Sequence, residues 1–295
     1  MKMKCLYSLL LLISSYSFSQ DNLESLLNPI DYSTNDLVRT FFSTRIVNSH
    51  SVDLYKAGAL DLRISHRFGP VSSGLYELFG LDQATIRVGL EYGISNKLMI
   101  GLGRSSYKKN YDGFLKYSLI KQSKNIPISI VYFSSISIES IKMTQENYPF
   151  SGRLNYCNQI LVAKRLNSKI SFQLMPTFIH KNMVEKKSHN NNLFLVGTGM
   201  RYKFSNLVAI NAEYHYNLNN NIDQTHNSFS IGFDIETGGH IFQLHCTNSL
   251  SMYEVGFLTE TNESWMNGGI HFGFNISTKL YTSPCQTFLR HVIQS

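Results

Sequence analysis

Polar and apolar residues alternate with a period of two along most of this chain. In ALDLRISHRF, Leu60, Leu62, Ile64 and Phe68 share one face, and Asp61, Arg63, Ser65 and Arg67 share the other. In ATIRVGLEYGI, Ile86, Val88, Leu90 and Tyr92 oppose Arg87, Gly89, Glu91 and Gly93. A strand turns successive side chains to opposite faces, so each run predicts a strand with one oily side and one wet side. Similar runs follow near 97–106, 110–120, 126–138, 153–165, 169–180, 192–204, 207–217, 227–237, 240–249 and 268–280. That makes about twelve strands, an even number within the range of membrane barrels.

The stretch GFDIETGGHIFQLHCTN tests the register. With Gly238 and Gly239 as a two-residue hairpin loop, Thr237 faces His240. Gly-Gly suits a turn that needs positive φ at both positions. The pairs Ile235–Phe242, Phe233–Leu244 and Ile231–Cys246 then make an apolar face. Glu236–Ile241, Asp234–Gln243 and Gly232–His245 make the other. The connections also sort themselves. Short turns at 94–97, 167–168, 205–206 and 238–239 alternate with long loops at 69–83, 139–152, 181–191, 218–226 and 250–267, and only the brief link at 108–110 departs from this. Short turns at one rim and long loops at the other are the habit of outer-membrane barrels.

Composition changes the picture in one direction. Charged residues are 16% of the chain, against roughly 25% in soluble domains, and aromatics are 13%. A soluble double-sheet sandwich would also alternate. Its wet face would carry abundant Lys and Glu, however, whereas here that face is mostly Gly, Ser, Thr, Asn and Gln. The N-terminus MKMKCLYSLLLLISSYSFSQ reads as a secretory signal peptide over residues 1–20, with cleavage expected after Gln20. Its loss takes away Lys2 and Lys4 and no acid, so the net charge falls from +7 to +5. That charge is spread along the sequence without a basic stripe, and nucleic-acid binding is not expected. Cys5 precedes the apolar core, the wrong place for a lipid-anchored cysteine, and Cys157, Cys246 and Cys285 have no metal-ligand spacing. Residues 21–56 do not join the pattern. Asn22–Leu27 suggests a helical turn, and the segment could hang in the periplasm, plug the lumen or add a strand. The barrel is expected over 57–281, with a tail at 282–295.

Several stretches resemble an uncharacterised family of bacterial outer-membrane β-barrel proteins, domain-of-unknown-function family 5777. They are TRIVNSHSV at 44–52, ISHRFG at 64–69, GLDQATIRVGLEYGISNKLMIGLGRSS at 80–106, DGFLKY at 112–117, LMPTFIH at 174–180, GFDIETGGHIFQLHCTNS at 232–249 and GGIHFGFNIS at 268–277. The resemblance implies a barrel and a Gram-negative envelope location; it supplies no activity. The chain departs from such barrels at its end, where TKLYTSPCQTFLRHVIQS runs past the terminal aromatic residue at which they commonly finish.

Strand parity sets the candidate lumen-lining residues: Asp61, Arg63, Arg67, Arg87, Glu91, Lys116, Glu213, His215, Asp234, Glu236, His245 and His271. Ion pairs are expected between Asp61 and Arg63 on one strand and Arg87 and Glu91 on the next. The plain reading is a salt-bridge network filling the interior; the sharper one is a pore whose charges select solutes. A metal site would need His215, His245 and His271 to converge with Glu213 or Glu236, and no ligand spacing supports one. No GxSxG elbow or assignable Ser/His/Asp set is present, so no catalytic role and no cofactor are expected. Tyr92, Tyr107, Tyr111 and Phe204 read as interfacial girdle residues.

The sequence therefore predicts an all-β chain, a single transmembrane antiparallel up-and-down barrel in the outer membrane. It is porin-like, with short periplasmic turns and long outer loops. The expected function is passing or binding small solutes in a polar lumen. The alternatives are an accessory barrel with a filled lumen and partner-binding loops, and a lipid-modifying enzyme. Expected partners are outer-membrane lipid, the barrel-insertion machinery and a small solute, with a monomer favoured.

Overall fold

The computed structural model describes residues 39–142, 149–184, 189–219 and 225–281. The signal peptide, its cleavage after Gln20, the helical turn at 22–27 and the tail at 282–295 lie outside these residues. Twelve strands follow one another: β1 (Ala59–Pro70), β2 (Ala84–Ser95), β3 (Leu98–Ser105), β4 (Tyr111–Ile120), β5 (Ser129–Ile138), β6 (Leu154–Arg165), β7 (Ile170–Lys181), β8 (Asn192–Lys203), β9 (Val208–Asn217), β10 (Phe229–Thr237), β11 (His240–Thr247) and β12 (His271–Tyr281). Each pairs antiparallel with its sequence neighbours, and β12 returns to β1 to close the barrel. Closure leaves no open sheet edge, which a membrane requires because lipid cannot hydrogen-bond a bare backbone.

The β10–β11 hairpin has the register its sequence predicts. Thr237 pairs with His240, Ile235 with Phe242, Phe233 with Leu244 and Ile231 with Cys246. Gly238 and Gly239 both take positive φ. The connections at 96–97, 121–128, 166–169, 204–207 and 238–239 define a short-turn rim. The longer ones, with the brief 106–110 turn among them, define the opposite rim. In that turn Lys108 and Lys109 occupy the left-handed region, at φ 51° and 47°.

Burial is inverted relative to a soluble protein. Arg63 and Lys116 are fully buried, while Leu102 is 70% exposed and stands in an outward belt with Leu90, Phe194, Phe233 and Leu244. Such an exterior suits a bilayer, and a sandwich would place the same residues between its sheets. The interior is not uniformly polar. Strands β3 to β8 turn Met99, Phe114, Phe133, Leu161, Met175 and Leu195 inward, where they form one half of a buried apolar cluster.

The other half comes from two segments that enter the barrel from opposite ends. Residues 39–58 form a re-entrant hairpin. Arg45 bridges His50, and Ile46 N–H donates to Ser49 O at 2.8 Å. Both hairpin ends are tied at the short-turn rim: Gly58 N–H donates to Gly93 O, Ala57 N–H to the Asn96 side chain, and Arg39 pairs with Glu236. Its tip reaches Ser230 and Thr247 through Asn48. From the other rim the β11–β12 loop folds inward and carries a short helix, α1 (Glu254–Thr259), whose six residues are all buried. Phe41, Ile46, Val52 and Tyr55 of the hairpin and Val255, Phe257 and Leu258 of the loop complete the apolar cluster. Each such side chain contributes about 1.5–3 kcal/mol of burial. Gly199 lets this fit occur, because a Cβ there would overlap Ile46.

Candidate functional site

The lumen is the site to which the sequence points. All the predicted lumen residues are buried except Glu236, which stands part-exposed at the short-turn rim with Arg39 and Lys279. Asp61, Arg63 and Glu91 come together: Arg63 lies 3.6 Å from Asp61 and 3.5 Å from Glu91. Arg87 turns instead to Asp112, donating from Nε at 2.9 Å and also from Nη2. Asp112 shares strand parity with Lys116, so the pattern could have nominated it. Gly89 and Gly103 leave the space the Arg87 guanidinium occupies.

The hairpin tip joins this wall network to the inward loop. Arg45 reaches Glu91 at 3.5 Å and Glu254 at 3.1 Å, and His50 Nε2 lies 3.2 Å from Glu254. Arg45, His50 and Glu254 are absent from the parity-based set because none of them sits on a strand. Lys116 donates to the backbone oxygens of Thr44 at 3.3 Å and Asp53 at 2.6 Å. Glu213 receives the backbone N–H groups of Val47, Asn48 and Ser49 at 3.3, 2.9 and 3.1 Å. Asp234 accepts from Gln243 at 2.9 Å, and Gln243 also donates to Ile46 O. Arg67 binds the carbonyls of Ser249 and Ser251 and the Asn48 side chain. A small cavity lined by Arg45, Asn48, Ser65, Arg67 and Met252 remains beside the tip.

The three inward histidines are not brought together. His215 meets Ser49 Oγ at 2.7 Å, His271 meets Phe68 O at 2.9 Å, and the His245 ring lies against Gly273. Among those residues no group of three or more His, Cys, Asp or Glu is arranged for a metal. Ser49 and His215 have the spacing of a nucleophile and its base. Both are buried, however, and among the described residues His215 Nδ1 has no partner to orient the ring, whereas a nucleophile–base pair works with an accessible nucleophile and an oriented base.

At the long-loop rim a second cluster holds the inward loop in place. Glu260 lies 2.9 Å from Lys108 and 3.3 Å from Lys181, and Lys108 also reaches Glu139 at 3.5 Å. Burial works to raise the Glu260 pKa, but Lys181 and Lys108 outweigh it and hold the carboxyl below its ordinary value. Burial, reinforced by Glu260, pushes Glu139 up. Tyr107, expected in an interfacial girdle, packs against the interior cluster beside these charges, whereas Tyr111 and Phe204 are exposed on the outside.

A closed antiparallel cylinder, apolar outside and charged within, defines an integral membrane β-barrel. More narrowly, the chain belongs to domain-of-unknown-function family 5777, a membrane bound beta barrel domain, and the match spans residues 41–280. The matched region therefore includes most of the lumen hairpin. No curated protein matches the sequence. Among solved structures, the NanC porin aligns at 10% identity and a TM-score of 0.47, covering 76% of this chain and 100% of its own. The KdgM porin aligns at 11% and 0.45, covering 75% and 98%. The Acinetobacter baumannii outer membrane protein Omp33 aligns at 6% and 0.42, covering 75% and 97%.

Proposed function

We propose that this protein is an outer-membrane barrel of the filled kind, closed in its resting state and acting through contacts at its rims rather than by standing passage of solute. One observation carries this reading: Phe41, Ile46, Val52 and Tyr55 of the N-terminal hairpin pack with inward apolar residues of β3–β8 and with the α1 loop. A water-filled pore of twelve strands would have little reason to turn Phe114, Phe133 and Leu161 inward.

Passage of small polar solutes is the second reading, and the hairpin topology favours it. Both hairpin ends lie at one rim, so the hairpin can withdraw there without threading the barrel. It would leave behind a wall lined by Arg63, Arg87, Glu91 and Lys116. Single-channel recording in planar bilayers separates the two. A folded full-length protein that stays silent under all voltages supports the filled barrel. Brief solute-sized openings support gated passage, and steady conductance refutes closure altogether.

A further inference from the structure

Lysines that look scattered in sequence are collected by the topology at one end of the barrel. Lys56, Lys97, Lys121, Lys124, Lys164 and Lys169 all stand at the short-turn rim and all are exposed. Arg165, Lys203 and Lys279 are half-buried beside them. Among the described residues the acids near this rim are few, and each is occupied. Asp53 accepts the N–H groups of Thr40 and Phe41, Glu236 holds Arg39, and Asp61 is buried within the wall. The long-loop rim differs, because Glu77, Asp82, Glu139, Glu260 and Glu263 offset its cations.

The turns that carry these lysines are also oily. Ile94 precedes Lys97, Ile126 follows Lys124, Leu166 lies between Lys164 and Lys169, and Phe204 and Leu207 follow Lys203; all five apolar residues are more than 40% exposed. Lys164 continues the outward row of Ile160 and Val162 on β6, so the basic rim is continuous with the lipid-facing wall. A basic side chain beside an exposed apolar one, at the end of a membrane-facing row, suits the headgroup layer. There the apolar part sinks toward the acyl chains while the ammonium meets phosphate. A docking site for a soluble acidic protein would not need the oily residues.

We propose that the short-turn rim is a collar that binds anionic phospholipid headgroups of the leaflet in which it stands. The proposal needs a membrane-spanning barrel and is independent of whether the lumen is filled or gated. One lysine near an anionic surface adds about fivefold to binding, so six acting together should discriminate strongly.

The test is native mass spectrometry of the full chain in detergent, titrated with phosphatidylglycerol or phosphatidylcholine. The wild type should hold phosphatidylglycerol at least tenfold more tightly, and this preference should shrink as salt is raised, since salt screens exposed charges. The combined variant K56Q/K97Q/K121Q/K124Q/K164Q/K169Q should bind both lipids nearly equally, while K109Q/K142Q at the other rim should keep the wild-type preference. Equal binding of both lipids by the wild type, or a preference that ignores salt, would overturn the proposal without any variant having to fold. So would polyglutamate binding as tightly as phosphatidylglycerol, which would point to an acidic protein partner.

Discussion

Glu213 offers the sharpest test of how the hairpin is held. Its carboxylate, 2% exposed on β9, receives three consecutive backbone N–H groups from the hairpin tip, at 2.9 to 3.3 Å. A hydrogen bond to a charged group contributes about 1.5–3 kcal/mol. Glu213→Gln keeps one carbonyl acceptor but replaces the other oxygen with an NH2 that faces backbone donors. At least one charge-assisted bond is lost and one donor is left unsatisfied, a cost of about 2–4 kcal/mol to the docked hairpin. At about 1.4 kcal/mol per decade, the undocked population should rise by roughly 30- to 700-fold. Hydrogen exchange followed by mass spectrometry reads this directly: peptides covering 44–51 should exchange faster in E213Q while strand peptides of β5–β7 keep their protection. Channel recordings of the same variant should show openings if the hairpin gates passage. Unchanged exchange at 44–51 in a correctly folded E213Q barrel would refute this account of the anchor.

Two further outcomes follow from other parts of the molecule. The folded pKa of Glu260 lies below its ordinary value of 4.5, so the latch of Glu260 with Lys108 and Lys181 contributes fully above that value and is lost as pH falls through the depressed one. Protease resistance of the loop at 248–263 should therefore collapse on strong acidification, and Glu260→Gln should weaken it at neutral pH and remove the acid step. Glu139, whose pKa is raised, acts in the opposite sense: it ionises above 4.5 and adds repulsion toward Glu260 as pH climbs. Lys108, Tyr107 and Tyr253 are all shifted upward and titrate far above this window. On the outer wall, Leu174→Arg near the middle of β7 should cost about 2–4 kcal/mol in bilayer-folded stability, read from urea titrations in lipid vesicles. A negligible change would mean that this face does not meet hydrocarbon.

The strands and their register were legible because period-two alternation leaves little freedom: a one-residue slip would turn Asp234 outward and Phe233 inward. The same parity placed Arg63, Glu91 and Lys116 inside. It failed where a residue belongs to no strand. Arg45 and His50 lie in an irregular stretch whose partners, Glu91 and Glu254, are remote in sequence, and no local pattern connects them. The apolar half of the interior was hidden for a different reason. In SIVYFSSISI both faces are largely apolar or small, so alternation cannot say that Val131 and Phe133 look inward. The basic collar escaped because its lysines sit on separate turns and meet only when the barrel closes.

The lumen hairpin also constrains the order of assembly. Tyr55 bonds Ser277 at 3.1 Å, and Asn275 donates to Val47 O at 3.3 Å, so two of its seats lie on β12. The chain emerges amino end first, so its earliest described residues complete their set of partners only once the last strand is in place. During that interval an oily, charged stretch must be kept from sticking elsewhere, a demand that falls on whatever escorts the chain to the bilayer.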